Sequence, residues 1–224
     1  MSPSWLTLQR WRARRRSRDA VFRAFIEQPV PVPGTLFTDA ELVCMDIETT
    51  GLDPRTVDML SIGWVLIRNS KVDLATAEAH IVKPNGGVGH SASVHGLTDT
   101  MVIDGMQPTE AIERVLEVLA GRVLVVHHAG LDKSLLDRIC REHYSEKLLV
   151  PMIDTLALEH RQRKRRHHLG DNGSLRLPDL RKHYNLPRYR GHNCLTDAVA
   201  TAELLIAMVA SREQHQKTTL ADLY

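Results

Sequence analysis

The stretch that most constrains this chain is ELVCMDIE, residues 41–48, an apolar run that contains two acids and leads into the turn TTGLDP. In a β-strand successive side chains point to opposite faces, so Asp46 and Glu48 share one face and Ile47 takes the other. Two like charges this close either share a proton or hold a cation. Taken alone, the spacing is a weak signal, because a strand end whose acids simply reach water is the commoner case.

The hydrophobic pattern predicts an α/β fold. Three strand-like runs joined by short turns come first, and helices then alternate with strands, which indicates a mixed five-stranded sheet flanked by helices. We expect Thr109 and Gly121 to cap the first helix of the domain, and Asp154 or Thr155 to cap the helix that follows the fifth strand. The predicted strands are 41–48, 59–69, 77–84, 122–128 and 148–154, and the predicted helices are 109–121, 131–143, 155–164, 174–185 and 194–214.

The proline-rich segment PVPVPG, residues 29–34, cannot continue a helix and marks the start of the main domain. We expect a basic helical extension and linker over 1–39, the main domain over 40–212 and a tail over 213–224. The extension is predicted to dock either on a partner or on the domain's own surface.

Composition limits the class of protein and the cellular compartment to be expected. Hydrophobic residues make up 43% of the 224 residues, enough for a sizeable core, and the three cysteines have neither disulfide nor zinc-site spacing. No apolar run approaches the roughly 18 residues of a membrane span, so a cytoplasmic protein without a membrane partner is expected. The net charge is +2, but positive charge clusters at 10–18 and 160–168. Each cluster suits either a solvated basic surface or a contact with phosphates.

Further acids stand at informative places. Asp132 follows the apolar strand 122–128 at a strand-to-helix junction, where α/β proteins hold ligands, although a helix N-cap is the ordinary role there. His192 and Asp197 stand at the start of the last long helix with H-x4-D spacing, which in isolation is most often found on a solvent-facing surface. The order of these acids behind the D-x-E strand is more informative than any one of them.

Six motifs in this order resemble the DEDDh, or DnaQ-like, family of 3′–5′ exonucleases, which includes the epsilon proofreading subunit of bacterial DNA polymerase III. The resemblance covers about residues 41–210 and implies a ribonuclease H-like fold and metal-dependent hydrolysis from a 3′ end. The motifs are DIETTGLD, VHGLTD, VVHHAGLDKSLL, IDTLAL, SLRLPDL and HNCLTDAVATAELL.

The resemblance also implies roles for the acids. Two ions, Mg2+ or Mn2+, are expected, with Asp46 bridging both, Glu48 and Asp197 completing the site of one and Asp132 supporting the other. His192 is expected to be the general base, since imidazole exchanges protons near neutral pH.

Substrate contacts are predicted in two loops. The turn after the first strand is expected to offer backbone N–H groups to the terminal 3′ hydroxyl, while Leu52 wedges against the last base or else plugs the loop. His95 is expected either to contact the terminal nucleotide or to make a loop hydrogen bond. The turn residues concerned are Thr49, Thr50, Gly51 and Leu52.

Two positions depart from the family pattern. His128 stands where the family usually has Asn, and Leu131 stands where it has an aromatic residue. These two departures bear on how Asp132 is positioned as a metal ligand.

The predicted function is a DNA 3′–5′ exonuclease of the proofreading or repair type that acts on a single-stranded or frayed 3′ end and releases nucleoside 5′-monophosphates. An exoribonuclease is the alternative within the enzyme class, because sugar discrimination depends on pocket shape. A non-catalytic module that binds nucleic acid or a polymerase is the alternative from another class. The tail LADLY, residues 220–224, resembles sliding-clamp-binding peptides except at Leu220, and the competing interpretation is a frayed helix end.

Overall fold

A mixed sheet of five strands lies at the centre of the protein, in the order β3-β2-β1-β4-β5. The computed structural model describes residues 3–84, 102–165, 173–212 and 217–224. Strand β2 pairs antiparallel with both β1 and β3, whereas β4 pairs parallel with both β1 and β5. The predicted sheet is thereby confirmed, with a third strand that begins earlier than expected. The strands are β1 (Leu42–Thr49), β2 (Met59–Arg68), β3 (Lys71–Ile81), β4 (Val123–Val126) and β5 (Met152–Asp154).

Helices cover both faces of the sheet. The N-terminal region is helical, as predicted, and forms two helices, the second of which starts after Asp19, whose carboxylate accepts the N–H of Phe22 as an N-cap. A short 3-10 helix, Phe37–Asp39, precedes β1. The α-helices of the described chain are α1 (Pro3–Arg16), α2 (Ala20–Glu27), α3 (Pro108–Leu119), α4 (Ala129–Tyr144), α5 (Thr155–Arg165), α6 (Leu177–His183), α7 (Cys194–Arg212) and α8 (Leu220–Leu223).

The start of α3 corrects one predicted cap. Gln107, not Thr109, occupies the N-cap position, because Pro108 fits the first helical position, where its missing N–H costs nothing. At the other end Ala120 is the C-cap and Gly121 follows it with φ of +75°. Gly121 therefore supplies the left-handed residue that commonly ends a helix, one position beyond the cap.

Alternation along β1 and β4 divides the core into two layers. Val43, Met45 and Ile47 of β1 pack with α1, α2, α3 and α4 on one face. Leu42 and Cys44 pack with α5, α6, α7 and α8 on the other. Asp46 and Glu48 continue the second row, so they lie on the face covered by α7.

Helix α7 is the one helix of the described residues that is long and apolar enough to cross a membrane. Half of its most apolar stretch is buried inside the protein, and its contacts with β1 and β2 are among the most extensive in the fold. Its apolar composition is therefore accounted for by its place in the core.

The N-terminal extension docks on the domain's own surface, one of the two predicted possibilities. Phe22, Phe25 and Ile26 of α2 join the first core layer. Arg10 of α1 is only 7% exposed, and its guanidinium donates to the carbonyl of Leu149 at 2.6 Å. The same group donates to three carbonyls at the end of α2, those of Phe25, Ile26 and Gln28. One side chain thus ties α1, α2 and the segment before β5 together.

The C-terminal tail is packed against the linker and is not a frayed end. The N–H of Leu220 donates to the carbonyl of Thr35 at 3.0 Å, and the N–H of Phe37 donates to that of Thr218 at 2.9 Å. Leu220 and Leu223 are buried in the second core layer. A clamp-binding role would require these two leucines to leave the core.

Replacing Arg10 by Met tests the docking of the extension. The variant leaves buried carbonyls without a donor, so we expect the free energy of unfolding to fall by roughly 1–3 kcal/mol. Arg14→Met is the matched control, since Arg14 is 61% exposed in a surface pair with Glu27 and its loss should cost less than about 1 kcal/mol. Urea unfolding followed by circular dichroism measures both, and equal losses would contradict the anchoring role of Arg10.

Candidate active site

Three acidic side chains meet where β1 lies under the first turn of α7. Asp46 and Glu48 project from β1 towards this helix, and Asp197 projects from the helix towards the strand. One carboxylate oxygen of each lies within 4.8 Å of the others. Glu48 is buried, whereas Asp46 and Asp197 are partly buried. The predicted pairing of the D-x-E strand with the acid of the last helix is therefore present in the structure.

Gly63 makes this close approach possible. It is paired with Asp46 across β1 and β2. A Cβ atom at Gly63 would lie 2.6 Å from the backbone nitrogen of Leu195 and 2.8 Å from the carbonyl carbon of Cys194. The start of α7 consequently rests on bare backbone, where any side chain would collide with it. Sequence reasoning missed this residue, although a glycine inside a strand is a known sign of close backbone approach.

The segment before α7 is shaped around Asp197. The side-chain oxygen of Asn193 accepts the N–H of Thr196 at 3.0 Å, which caps the helix. His192 has φ of +70°, and its N–H donates to the carboxylate of Asp197 at 2.8 Å. His192 is exposed. The left-handed turn thus fixes the backbone of the predicted base to the predicted metal ligand.

Asp132 enters the site from a different element. It lies buried in the first turn of α4, directly after β4. It is not one of the three acids within 4.8 Å of one another, but its charge raises the pKa of Asp46. Asp132 therefore lies beside the central cluster as its fourth acid.

Asp154 fixes the start of the helix that carries Asp132. Its carboxylate accepts the N–H groups of His128 and Ala129 at the start of α4, both at 3.0 Å. It also accepts those of Leu156 and Ala157 at the start of α5, at 3.0 and 3.3 Å. Asp154, predicted to cap α5, therefore caps the start of both α4 and α5. Its contact with α4 exists only because the two helices begin side by side in the folded protein.

The two histidines before α4 stabilise the local structure between β4 and α4. His128 has φ of +72°, a left-handed conformation in which Asn, Asp and His are enriched. The replacement of the family's Asn by His128 therefore keeps a residue suited to this turn.

Burial lowers the pKa of His127 and favours a neutral ring. The ring then donates from Nε2 to the carbonyl of Leu175 at 3.0 Å, and its Nδ1 is hydrogen-bonded to the hydroxyl of Thr155 at 2.8 Å. This residue joins the end of β4 to α5 and to the segment before α6.

The crowding of acids changes how strongly each holds its proton. Burial first, and then the charges of Glu48 and Asp154, raise the pKa of Asp132 to about 7. Burial and the charge of Asp197 raise the pKa of Glu48 to about 7, while the charge of His192 opposes the change. The pKa of Asp46 is raised well above its ordinary value by burial and by all three neighbouring acids. Burial also raises the pKa of Asp197.

This group of side chains has the chemistry of a divalent-metal site. All its donors are carboxylate oxygens, the ligands that hard cations such as Mg2+ prefer. They project from a rigid strand and two helix starts. When the acids are ionised they repel one another, and a bound cation relieves this repulsion. Asp46, Glu48 and Asp197 fit one such ion.

The turn after β1 is held by its own hydrogen bonds. Thr50 donates its N–H to the carbonyl of Asp58 at 3.0 Å, and its hydroxyl accepts the N–H of Asp58 at 2.9 Å. The hydroxyl of Thr49 donates to the carbonyl of Gly51 at 2.6 Å. The N–H of Thr50 therefore closes the turn, which leaves the predicted contact with the terminal hydroxyl to the N–H groups that follow it.

Leu52 lies at the tip of the turn and is 89% exposed, so it does not plug the loop against the core. Its position suits contact with a molecule outside the protein. His95 lies outside the described residues. The part of the basic cluster that the structure describes belongs to α5, where Arg161 donates to the carbonyl of Leu223 and Arg163 pairs with Glu159.

The open mixed sheet agrees with the ribonuclease H-like fold predicted from the sequence, and its acids gather at β1, α4 and α7. Residues 43–205 match the family model described as "Exonuclease", RNase_T. The chain belongs to this exonuclease family.

Relatives and solved structures agree with this assignment. The chain is 29% identical over 189 residues to a PolC-type DNA polymerase III of Thermotoga maritima, and 28% identical over 176 residues to that of Caldanaerobacter subterraneus subsp. tengcongensis. These matches cover 84% and 79% of this chain but only 13% and 12% of the polymerases. The chain thus spans a small part of the curated relatives that it matches.

Two exonuclease structures share the fold. Exonuclease X in complex with 5′ overhanging duplex DNA superimposes with a TM-score of 0.61 at 22% identity, covering 81% of this chain and 98% of that one. Escherichia coli Exonuclease I in complex with a dA16 oligonucleotide superimposes with a TM-score of 0.66 at 16% identity, covering 78% and 42% of the two chains. At these identities the likeness concerns the fold.

Gly63→Ala tests the contact that assembles the acids. The added Cβ must displace the start of α7, so we expect a loss of roughly 1–3 kcal/mol in the free energy of unfolding and a weaker affinity for Mn2+. Gly34→Ala is the matched control, because a Cβ there meets nothing within 4 Å. Urea unfolding and calorimetric Mn2+ titration of both variants measure the effect. Wild-type Mn2+ affinity in Gly63→Ala would contradict the proposed importance of this contact.

The raised carboxyl pKa values predict how metal and pH act together. An acid whose pKa is higher in the folded protein stabilises it at low pH, and that stabilisation disappears as pH rises through the folded value. For Glu48 and Asp132 the loss should fall between about pH 4 and about pH 7. The metal-free protein should therefore melt at a lower temperature at pH 8 than at pH 5.5.

Divalent ions bind the ionised acids, so the rise in melting temperature on adding Mg2+ should be larger at pH 8 than at pH 5.5. Melting curves with EDTA or Mg2+ at both pH values check this. The Asp46→Asn variant should show a smaller response to the metal, and an equal Mg2+ effect at the two pH values would refute the linkage.

Proposed function

We propose that this protein is a DEDDh-type exonuclease that hydrolyses DNA from its 3′ end and releases nucleoside 5′-monophosphates. The observation that carries the proposal is the convergence of four acids from β1, α4 and α7 beside an exposed histidine. A non-catalytic module would have no use for clustered, partly buried carboxylates, which destabilise the fold when they ionise. The cluster therefore favours catalysis over a purely structural or docking role.

The proposed site holds two divalent ions, Mg2+ or Mn2+. Asp46, Glu48 and Asp197 would hold one, and Asp46 and Asp132 the other. Such ions, when bound, activate water and neutralise charge on the transferring phosphate. The acids have to be ionised for this, so their raised pKa values predict activity that increases towards pH 8.

His192 is proposed as the general base. It is exposed at the rim of the cluster, and its backbone is fixed to Asp197. Its charge opposes the rise in the pKa of both Glu48 and Asp197. The ring would take the proton of the attacking water and release it to solvent.

The turn after β1 is proposed to receive the 3′-terminal nucleotide. The exposed side chain of Leu52 would pack against the last base, and the N–H groups of Gly51 and Leu52 would face the terminal hydroxyl. Thr49 and Thr50 would support the turn from behind through their hydrogen bonds. His95 is retained as a proposed contact to the same nucleotide.

DNA is the proposed substrate because of the relatives. The curated matches are DNA polymerases, and the two structural neighbours were solved with DNA. The single-stranded or frayed 3′ end is proposed as the binding partner, in a proofreading or repair setting.

A trimming assay tests the function. Matched DNA and RNA oligonucleotides labelled at the 5′ end should show stepwise shortening with Mg2+ or Mn2+, faster on DNA, and none with EDTA. Asp46→Asn should reduce the rate by on the order of 10³-fold, and His192→Ala by roughly 10²–10⁴-fold. Asp39→Asn, an exposed acid outside the site, is the control for charge removal. Faster trimming of RNA would replace DNA by RNA as the substrate, and activity that survives in Asp46→Asn would overturn the assignment.

A further inference from the structure

A cleft opens beside the acidic cluster, between α6 and the segment that leads to His192. It has a volume of about 510 Å³, and one of its walls is formed by Asp197 and Gly191. Two exposed basic side chains, Lys182 and Arg188, and one tyrosine, Tyr189, line it further out. The cleft is therefore continuous with the proposed active site, but none of the residues assigned so far, apart from Asp197, lies in it.

Tyr189 is held rigidly although it is 39% exposed. Its hydroxyl donates to the carboxylate of Glu203 at 2.9 Å. The guanidinium of Arg181 lies over its ring, 4.5 Å from the centroid, and covers one face. An exposed aromatic ring fixed in this way can stack with a flat group at little entropic cost.

Arg181 holds the whole wall in place. It is only 3% exposed and donates to the carboxylate of Glu203 at 2.7 Å, to the carbonyl of Ala200 in α7 at 2.7 Å and to that of Pro187 at 2.8 Å. The segment that carries Arg188 and Tyr189 is thus tied to the same helix that carries Asp197. The cleft and the acids keep a fixed relation to each other.

The charges in the cleft favour an anionic chain. Lys182 and Arg188 are exposed cations, and of the two acids in the lining Asp179 is exposed while Asp197 belongs to the proposed metal site. Basic side chains next to a stacking ring are the combination by which proteins bind single-stranded nucleic acid with little sequence preference.

We propose that this cleft binds the nucleotides on the 5′ side of the scissile phosphate. Lys182 and Arg188 contact their phosphates, and a base stacks on the open face of Tyr189. The proposal rests on the exonuclease function and specifies its substrate as a single strand longer than the residue being removed. The 49–58 turn joins β1 to β2, whereas the cleft lies between α6 and the segment that leads to His192, so the two are built from different elements.

The test compares substrates that reach the cleft with one that does not. Single-stranded dT12 extends beyond the cleaved bond, whereas thymidine 5′-p-nitrophenyl phosphate has no nucleotide on the 5′ side. In the full-length chain, Tyr189→Leu and the double variant Lys182→Gln/Arg188→Gln should each raise the KM for dT12 on the order of tenfold, with kcat nearly retained. The small substrate should change less than about twofold. Tyr189→Phe keeps the ring under the guanidinium of Arg181 but loses the hydrogen bond to Glu203, so its KM for dT12 should rise less than that of Tyr189→Leu, and Arg114→Gln on α3 is the control for removal of a positive charge.

Binding provides a second readout that does not need cleavage. The affinity for fluorescent dT12, measured by anisotropy with Ca2+ at several salt concentrations, should depend less steeply on salt in the double variant, by roughly 0.7 in logarithmic slope for each phosphate that the variant no longer neutralises. Asp179→Asn should tighten binding. If the wild type binds dT12 through the cleft without cleaving it, the exonuclease function fails and the site stands. An equal loss on both substrates, or an unchanged salt slope, would overturn the site.

Discussion

The arrangement of the acidic site depends on the contact between Gly63 and the start of α7. Because Gly63 has no side chain, the backbone of Leu195 can lie where a Cβ atom of residue 63 would collide with it. The first turn of the helix then brings Asp197 close to Asp46 and Glu48. The same contact seats the most apolar helix of the described chain on the sheet. One residue thus joins the packing of the core to the chemistry at its edge.

This packing is electrostatically unfavourable, because it brings four acids close together. Burial raises the pKa of all four acids, to about 7 for Glu48 and for Asp132, so ionisation of these acids, which the proposed chemistry requires, destabilises the metal-free fold. The scaffold tolerates it because each acid stands on an anchored element: Asp46 and Glu48 on the central strand β1, Asp132 on a helix start fixed by Asp154, and Asp197 on a helix capped by Asn193. Rigid anchoring keeps the acids from moving apart to relieve their repulsion.

Sequence reasoning reached the features that follow from local periodicity. The shared face of Asp46 and Glu48 follows from strand alternation, and the order of strands and helices was enough to predict the mixed sheet. Features that depend on distant segments were not accessible in this way. The double capping by Asp154 requires α4 and α5 to start side by side, and the role of Gly63 requires α7 to cross β2. The anchoring of Arg10 depends in part on the carbonyl of Leu149, 139 residues away.

The pairing of residues 33–37 with 218–221 places the entry and the exit of the domain next to each other. A unit whose two ends meet can be carried inside a longer polypeptide without being stretched between its neighbours, since the flanking chain only has to leave from the place where it arrived. The backbone bonds that seal the tail therefore close the five strands and their acids between two adjacent segments, while α1 and α2 lie ahead of this closure and pack on the same core.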